Sequence, residues 1–170
     1  DLSKAIALAK LRLTNVINSM NTFLANPDQF YLTYARLASF DQEDLELKDK
    51  AVGRVTRAVA IAAQVKNKLQ NIGSKYYCSG NYSGRCSLGG ANAHTTYLEN
   101  SNIYFCNGFL ELDTSVRKAA VLVHELSHNY KAQDLEYTRS KIKDVEWDNN
   151  AETYEMWIEK NRLCIPGYDC

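Results

Sequence analysis

Apolar residues recur along the first third of the chain at alternating steps of four and three. Leu2, Ile6, Ala9, Leu13, Val16 and Met20 thereby fall on one face of a helix. Asn26-Pro27-Asp28 breaks that pattern, and Phe30, Tyr34 and Leu37 begin a second, short helix. A longer third helix follows: Val52, Val55, Val59, Ala62, Val65, Leu69 and Ile72 share a face, and Gly73 stands where a C-cap belongs. Gly53, near its start, weakens it by about 1 kcal/mol relative to Ala. Residues 74–108 change character. Gly, Ser and Asn cluster from Ser79 to Ala93, and the runs Thr95–Leu98 and Ile103–Cys106 read as strands or a hairpin. Asp113, Thr114 or Ser115 then caps a helix from about Val116 to Asn129, and a last helix begins near Asn150 and carries Tyr154, Trp157 and Ile158. The pattern predicts a mainly α fold with a small antiparallel β region. With no internal repeat and no linker long enough to divide it, residues 1–170 are expected to form a single domain.

Composition narrows the functional classes. The chain has 170 residues, 45% apolar and 24% charged, which is globular rather than disordered usage. Lys plus Arg and Asp plus Glu both number 20, so no basic field points to nucleic acid. No apolar run approaches the ~18 residues a membrane span needs. The expected partner is a protein or peptide substrate, with no nucleic acid and no membrane, and the chain is expected to act as a monomer. It starts at Asp1 without an initiator Met, and its 5 cysteines suit an oxidising compartment, so a processed, secreted form is expected. Five is odd, which leaves one thiol outside any pair within the chain.

The chemistry is concentrated in Val121-Leu122-Val123-His124-Glu125-Leu126-Ser127-His128, which contains HExxH. Helical spacing puts His124 and His128 on one face, where both imidazoles reach a single zinc ion. Glu125 is offset from His124 by about 100°, within reach of a metal-held water without being a ligand. Zinc lowers the pKa of such a water towards ~7, and a carboxylate beside it takes the proton. Only 3 histidines occur in the chain, and two of them bracket this glutamate on a segment that independently reads as a helix. A hydrolytic zinc site needs a third protein ligand and an open position. Asp134 is the nearest donor, followed by Tyr137; Glu146 and Glu152 are further candidates, and His94 is expected as a solvated loop residue.

HExxH followed by Asp-x-x-Tyr resembles the deuterolysin or aspzincin family of secreted zinc proteases, most closely its peptidyl-Lys metalloendopeptidases. Ile103-Tyr104-Phe105-Cys106-Asn107-Gly108-Phe109 is similar to the segment that precedes the active-site helix in that family, and Asn150-Ala151-Glu152-Thr153-Tyr154 is similar to its Asn-Ala-Asp-x-Tyr segment. The resemblance is best over residues 103–164. It implies one zinc ion held by His124, His128 and Asp134, with Glu125 activating the water and Tyr137 hydrogen-bonding the oxyanion. It also implies a Cys86–Cys106 bridge, with the pairing of Cys78, Cys164 and Cys170 open. Glu152 and Glu155, one turn apart, would form an acidic pocket for a lysine on the carboxyl side of the cut. Three departures stand beside these likenesses. Ala132-Gln133 replaces the usual Gly-Thr, Thr138 replaces a Gly, and Asp134 stands at the spacing that metzincins use, with Lys131 where their glycine turn falls. The implied activity is a zinc-dependent endopeptidase; a non-catalytic zinc-binding or interaction protein on the same fold is the alternative.

Overall fold

The computed structural model describes residues 1–27, 45–72, 76–78, 86, 92–95, 102–137 and 147–161. The second helix expected from Phe30, Tyr34 and Leu37 lies outside the described residues, as do Gly73, Leu98, Thr138, Glu146, Cys164 and Cys170. The elements in chain order are helix α1 (Leu2–Ala25), helix α2 (Leu45–Gln70), strand β1 (Tyr76–Cys78), strand β2 (Ala93–His94), strand β3 (Ile103–Phe105), short helix α3 (Asn107–Glu111), helix α4 (Ser115–His128), a 3-10 turn (Trp147–Asn149) and helix α5 (Ala151–Lys160).

Helix α1 begins where the Asp1 carboxylate accepts from the Ser3 and Lys4 amides, and it buries Ala5, Ala9, Leu13, Val16, Met20 and Phe23. The buried stripe is the expected face, displaced towards Ala5 and Phe23 at its two ends. Helix α2 buries Val55, Ala58, Ala62, Val65 and Leu69 and runs through Gly53, so the apolar stripe outweighs the cost of that glycine. Both helices pack on each other, and α4 packs on α1, α2 and α5.

Helix α4 is the centre of the molecule. Thr114 caps it by accepting from the Arg117 amide, and every residue from Ala119 to His128 is buried. A helix buried all round must satisfy or exploit the polar groups it carries inside. Ser127 does so by donating to the His124 carbonyl at 2.7 Å. His124, Glu125 and His128 are the groups left over.

The sheet has the order β1-β3-β2. Strand β2 pairs antiparallel with β3, as expected, through Ala93 to Phe105 and His94 to Tyr104. Strand β1 adds a parallel neighbour on the other side of β3. Of the strand expected at Thr95–Leu98 only Thr95 is described, directly after β2, and the rest lies outside the described residues. Cys86 and Cys106 form the disulfide that the resemblance implied. Of Cys78 only the backbone, in β1, is described.

In the 3-10 turn that precedes α5, Asp148 is buried against α2. It accepts from Arg57 Nε at 2.6 Å, with Arg54 Nε at 3.7 Å, while its backbone carbonyl accepts from the buried Tyr154 hydroxyl at 2.6 Å. These contacts fix the entry to α5. Among the described residues, no helix is long and apolar enough to cross a membrane.

Candidate active site

One cavity of about 440 Å³ is lined by His124, Glu125, His128, Asp134, Tyr137, Glu152 and Glu155. All seven site residues expected from the sequence therefore face one space, although they come from α4, the loop after it, and α5. Asn92, Ala93, His94 and Val121 complete the wall.

The two imidazoles stand edge to face, with ring centroids 5.0 Å apart. His124 Nε2 is 3.2 Å from Asp134 Oδ1, and His128 Nε2 is 3.3 Å from the same oxygen. Two donors held about 2.0–2.1 Å from one ion at the tetrahedral angle stand about 3.3 Å apart. The two distances to Asp134 thus match edges of a zinc tetrahedron, and the three donor atoms all lie within 4.8 Å of one another. All three donor residues line the cavity. A second group, His124 with Glu152 and Glu155, meets the same 4.8 Å limit and shares the His124 ring.

Each ring's other nitrogen is engaged. His128 Nδ1 donates to the Ala132 carbonyl at 2.8 Å, which in the neutral ring puts the lone pair on Nε2, the nitrogen of the donor set. His124 Nδ1 is 2.9 Å from Glu155 Oε2, a charge contact not aligned as a hydrogen bond.

Asp134 is placed by its neighbours in the chain. The turn after α4 passes through Lys131 in the left-handed region at φ 75, so the chain makes there the turn for which metzincins use glycine. A side chain in that conformation costs about 1 kcal/mol. Gln133 then forms an isolated parallel bridge with Asn150: its amide donates to the Asn149 carbonyl at 2.7 Å, and its carbonyl accepts from the Ala151 amide at 2.9 Å. On the other side of Asp134, Asn150 Oδ1 accepts from the Leu135 amide at 3.2 Å and Asn150 Nδ2 donates to the Glu136 carbonyl at 2.9 Å. Asn150 occupies the N-cap position of α5 without capping it, because its carboxamide is used on the Asp134 loop. Sequence reasoning read Asn150 as a helix start and missed this clamp.

Tyr137 is 60% exposed, so it does not pack in the core. Its ring lies nearly parallel to that of His124, with centroids 6.2 Å apart. Partial burial and a hydrogen bond to Asp134 push its phenol above the usual range. His94, expected in a solvated loop, instead lies in β2 at the cavity wall, stacked on Tyr104 with ring centroids 5.0 Å apart. No local signal marks it, because its place depends on β2 pairing with β3.

Electrostatics couple these groups. Burial alone would lower the His124 pKa, but contacts with Asp134 and Glu155 and the charge of Glu125 hold it up at about 10. Burial works against the Asp134 charge, yet the two histidines hold its carboxyl well below the usual range. Burial pushes the Glu125 carboxyl up, against the pull of His124 and His128.

In chelator-treated protein these shifts set a stability window. His124 contributes stability that is full below its ordinary 6.5 and is lost as pH rises through about 10. Glu125 has the same sign, stabilising below 4.5 and costing stability above it. Asp134 contributes above its ordinary 3.8 and loses that contribution only as pH falls well below it. The melting temperature with chelator present is expected to decline steadily from pH 6.5 to pH 10. Circular-dichroism melts across that range check this, and Asp134→Asn should flatten the decline.

Residues 46–159 match the family model described as lysine-specific metallo-endopeptidase, the aspzincins. The chain belongs to this family. No curated protein and no solved structure gives a match. As an aspzincin the chain is a hydrolase of the zinc metalloendopeptidase class, with protein or peptide substrates and a metal at its centre. The matched stretch covers the donors, the Asn150 clamp and the acidic pair on α5, all of which face or brace the same cavity.

Proposed function

We propose that this aspzincin is a single-domain, monomeric, secreted endopeptidase that holds one zinc ion through His124, His128 and Asp134 and cuts before lysine. The observation that carries the reading is the 3.2 and 3.3 Å spacing of the three donors, inside a cavity that also holds Glu125 and two carboxylates of α5. Secretion is supported by the Cys86–Cys106 disulfide, a bond that persists in oxidising compartments.

When bound, the ion supplies Lewis acidity towards water and the scissile carbonyl. Glu125, buried beside both histidines, accepts the proton of the attacking water and returns it to the leaving amine. Its upward shift brings its basicity nearer to neutral pH, where a general base works best. The Tyr137 hydroxyl, at the rim beside Asp134, donates to the carbonyl oxygen as that atom gains charge. Glu152 is buried and Glu155 half-buried in the same wall. Weak screening there favours an ammonium over an apolar side chain.

Digestion of an unfolded protein, with the fragments weighed by mass spectrometry, tests the proposal together with the zinc content of the enzyme. Cuts are expected on the amino side of lysine at one zinc per chain. Glu152→Gln is expected to lower kcat/KM for lysine substrates by about tenfold to a hundredfold, as loss of a charge partner worth about 1.4–2.8 kcal/mol would. Cuts scattered without regard to lysine would end the specificity claim, and no hydrolysis by zinc-loaded protein would end the catalytic one.

A further inference from the structure

We infer that Glu155 is a positioning residue for the metal ligand His124, holding the ring by the nitrogen turned away from the metal. The inference rests on the proposed zinc centre and divides labour within the acidic pair: Glu152 chiefly receives the substrate cation, while Glu155 chiefly orients a ligand.

The two nitrogens of His124 face different groups. Nε2 is 3.2 Å from the Asp134 oxygen that also faces His128 Nε2, so it points into the donor set. Nδ1 is 2.9 Å from Glu155 Oε2. The terminal torsion of a glutamate is soft, so a small rotation of the carboxylate brings its oxygen into line with the ring N–H. The resulting arrangement is metal, imidazole and carboxylate in series, which fixes the tautomer with the proton on Nδ1 and the lone pair on Nε2.

His128 shows what the alternative looks like. Its Nδ1 is held by a neutral acceptor, the Ala132 carbonyl, at 2.8 Å. A backbone carbonyl orients a ring and does little to its charge. A carboxylate does both, and makes Nε2 a stronger donor to a cation. The two histidines of the centre are therefore unequal, and the inequality comes from α5. Helix α5 is packed along α4, and its N-terminal Asn150 already braces the Asp134 loop. Helix α5 thus supports two of the three ligands from behind, one through a carboxamide on backbone and one through a carboxylate on a ring.

Zinc affinity, measured by competition with a chromophoric chelator, tests this without reference to turnover. Glu155→Ala is expected to weaken zinc binding by about tenfold to a hundredfold. Glu155→Gln keeps an acceptor oxygen and loses the charge, so it should fall between wild type and alanine. Glu152→Gln should lose less affinity than Glu155→Ala, because the 2.9 Å contact with His124 Nδ1 is made by Glu155. Imidazole 15N spectra of the zinc-loaded wild type provide a readout that needs no variant: His124 should carry its proton on Nδ1, with Nε2 unprotonated. Equal zinc affinity in Glu155→Ala and wild type would overturn the assignment, and so would an equal loss in Glu152→Gln. A second zinc per chain that displaces the proton from Nδ1 would overturn it too, because that nitrogen would then be a ligand. A wild type that takes up no zinc would overturn both this inference and the proposed centre, whereas any of the other adverse results would leave the centre standing.

Discussion

Glu125→Gln is expected to lower kcat for peptide hydrolysis by about a thousandfold, within the range that a positioned general base contributes. The substitution changes two atoms' chemistry and almost no volume. Glu125 is 9% exposed on a helix whose surrounding turns are fully packed, so a smaller residue would open a cavity and confuse loss of chemistry with loss of structure. Gln avoids that. It also removes a charge that burial disfavours, since burial raises the Glu125 pKa. By linkage, a group shifted upwards costs stability at pH values above its ordinary 4.5, so the variant should melt no lower than wild type at pH 7. Zinc content should be unchanged, because the three donors are untouched. Three measurements on one preparation therefore separate the outcomes: hydrolysis of a casein substrate, zinc content and a melting curve. Activity equal to wild type in a zinc-loaded, folded variant would remove Glu125 from the mechanism.

The parts of the site that the sequence revealed are those in which chemistry follows from local spacing. His124, Glu125 and His128 sit on one helix, and an α-helix fixes the relation of residues four apart whatever surrounds it. The helices carrying the core were legible for the same reason: Leu13, Val16 and Met20, or Val55, Ala62 and Leu69, repeat often enough to define a face. Helix α3 has five residues, too few to show a period, and its Phe109 is buried by tertiary contact. Strands β1 and β2 are three and two residues long, and β1 pairs in parallel with a segment 27 positions away, so no alternation announces them. His94 follows from that limit. Placed by the pairing of β2, it reaches the cavity wall through a contact that no window of sequence contains.

Proximity to His128 made Asp134 the nearest candidate, with Tyr137 next, and the resemblance gave each its role; spacing could not choose between Asp134 and the later glutamates, because a loop has no repeat from which to infer a direction. The departures from the family pattern also have a physical reading. Six residues after His128 is a short path, and the chain takes it by turning through Lys131 in a left-handed conformation that glycine would adopt more cheaply. What makes the strained turn tolerable is the set of bonds beyond it: before the aspartate, the Gln133 backbone pairs with the Asn149 carbonyl and the Ala151 amide, and after it the Asn150 carboxamide holds the Leu135 amide and the Glu136 carbonyl. Strain at a functional turn persists where surrounding contacts over-determine it.

Those contacts carry the second large expectation. Asn150→Ala should lower stability by about 2 kcal/mol, because it leaves the Leu135 amide and the Glu136 carbonyl without their protein partners. It should also weaken zinc binding by about tenfold to a hundredfold, as loss of a group that orients a ligand does. Asn150 is fully buried and spans 14 to 15 positions to reach the loop, so no nearby side chain stands in for it. Asn150→Asp keeps the oxygen that the Leu135 amide needs and loses the donor to the Glu136 carbonyl. It should therefore retain part of the affinity. The decisive comparison is a double-mutant cycle with Asp134→Ala. If Asn150 acts on zinc by holding Asp134, removing it costs little further affinity once that ligand is gone, while its cost in stability remains. Independent, additive losses in affinity would show that the clamp acts elsewhere. Zinc affinity within about threefold of wild type in a folded Asn150→Ala protein, the size of a surface substitution's effect, would show that the bridge at Gln133 holds the loop unaided.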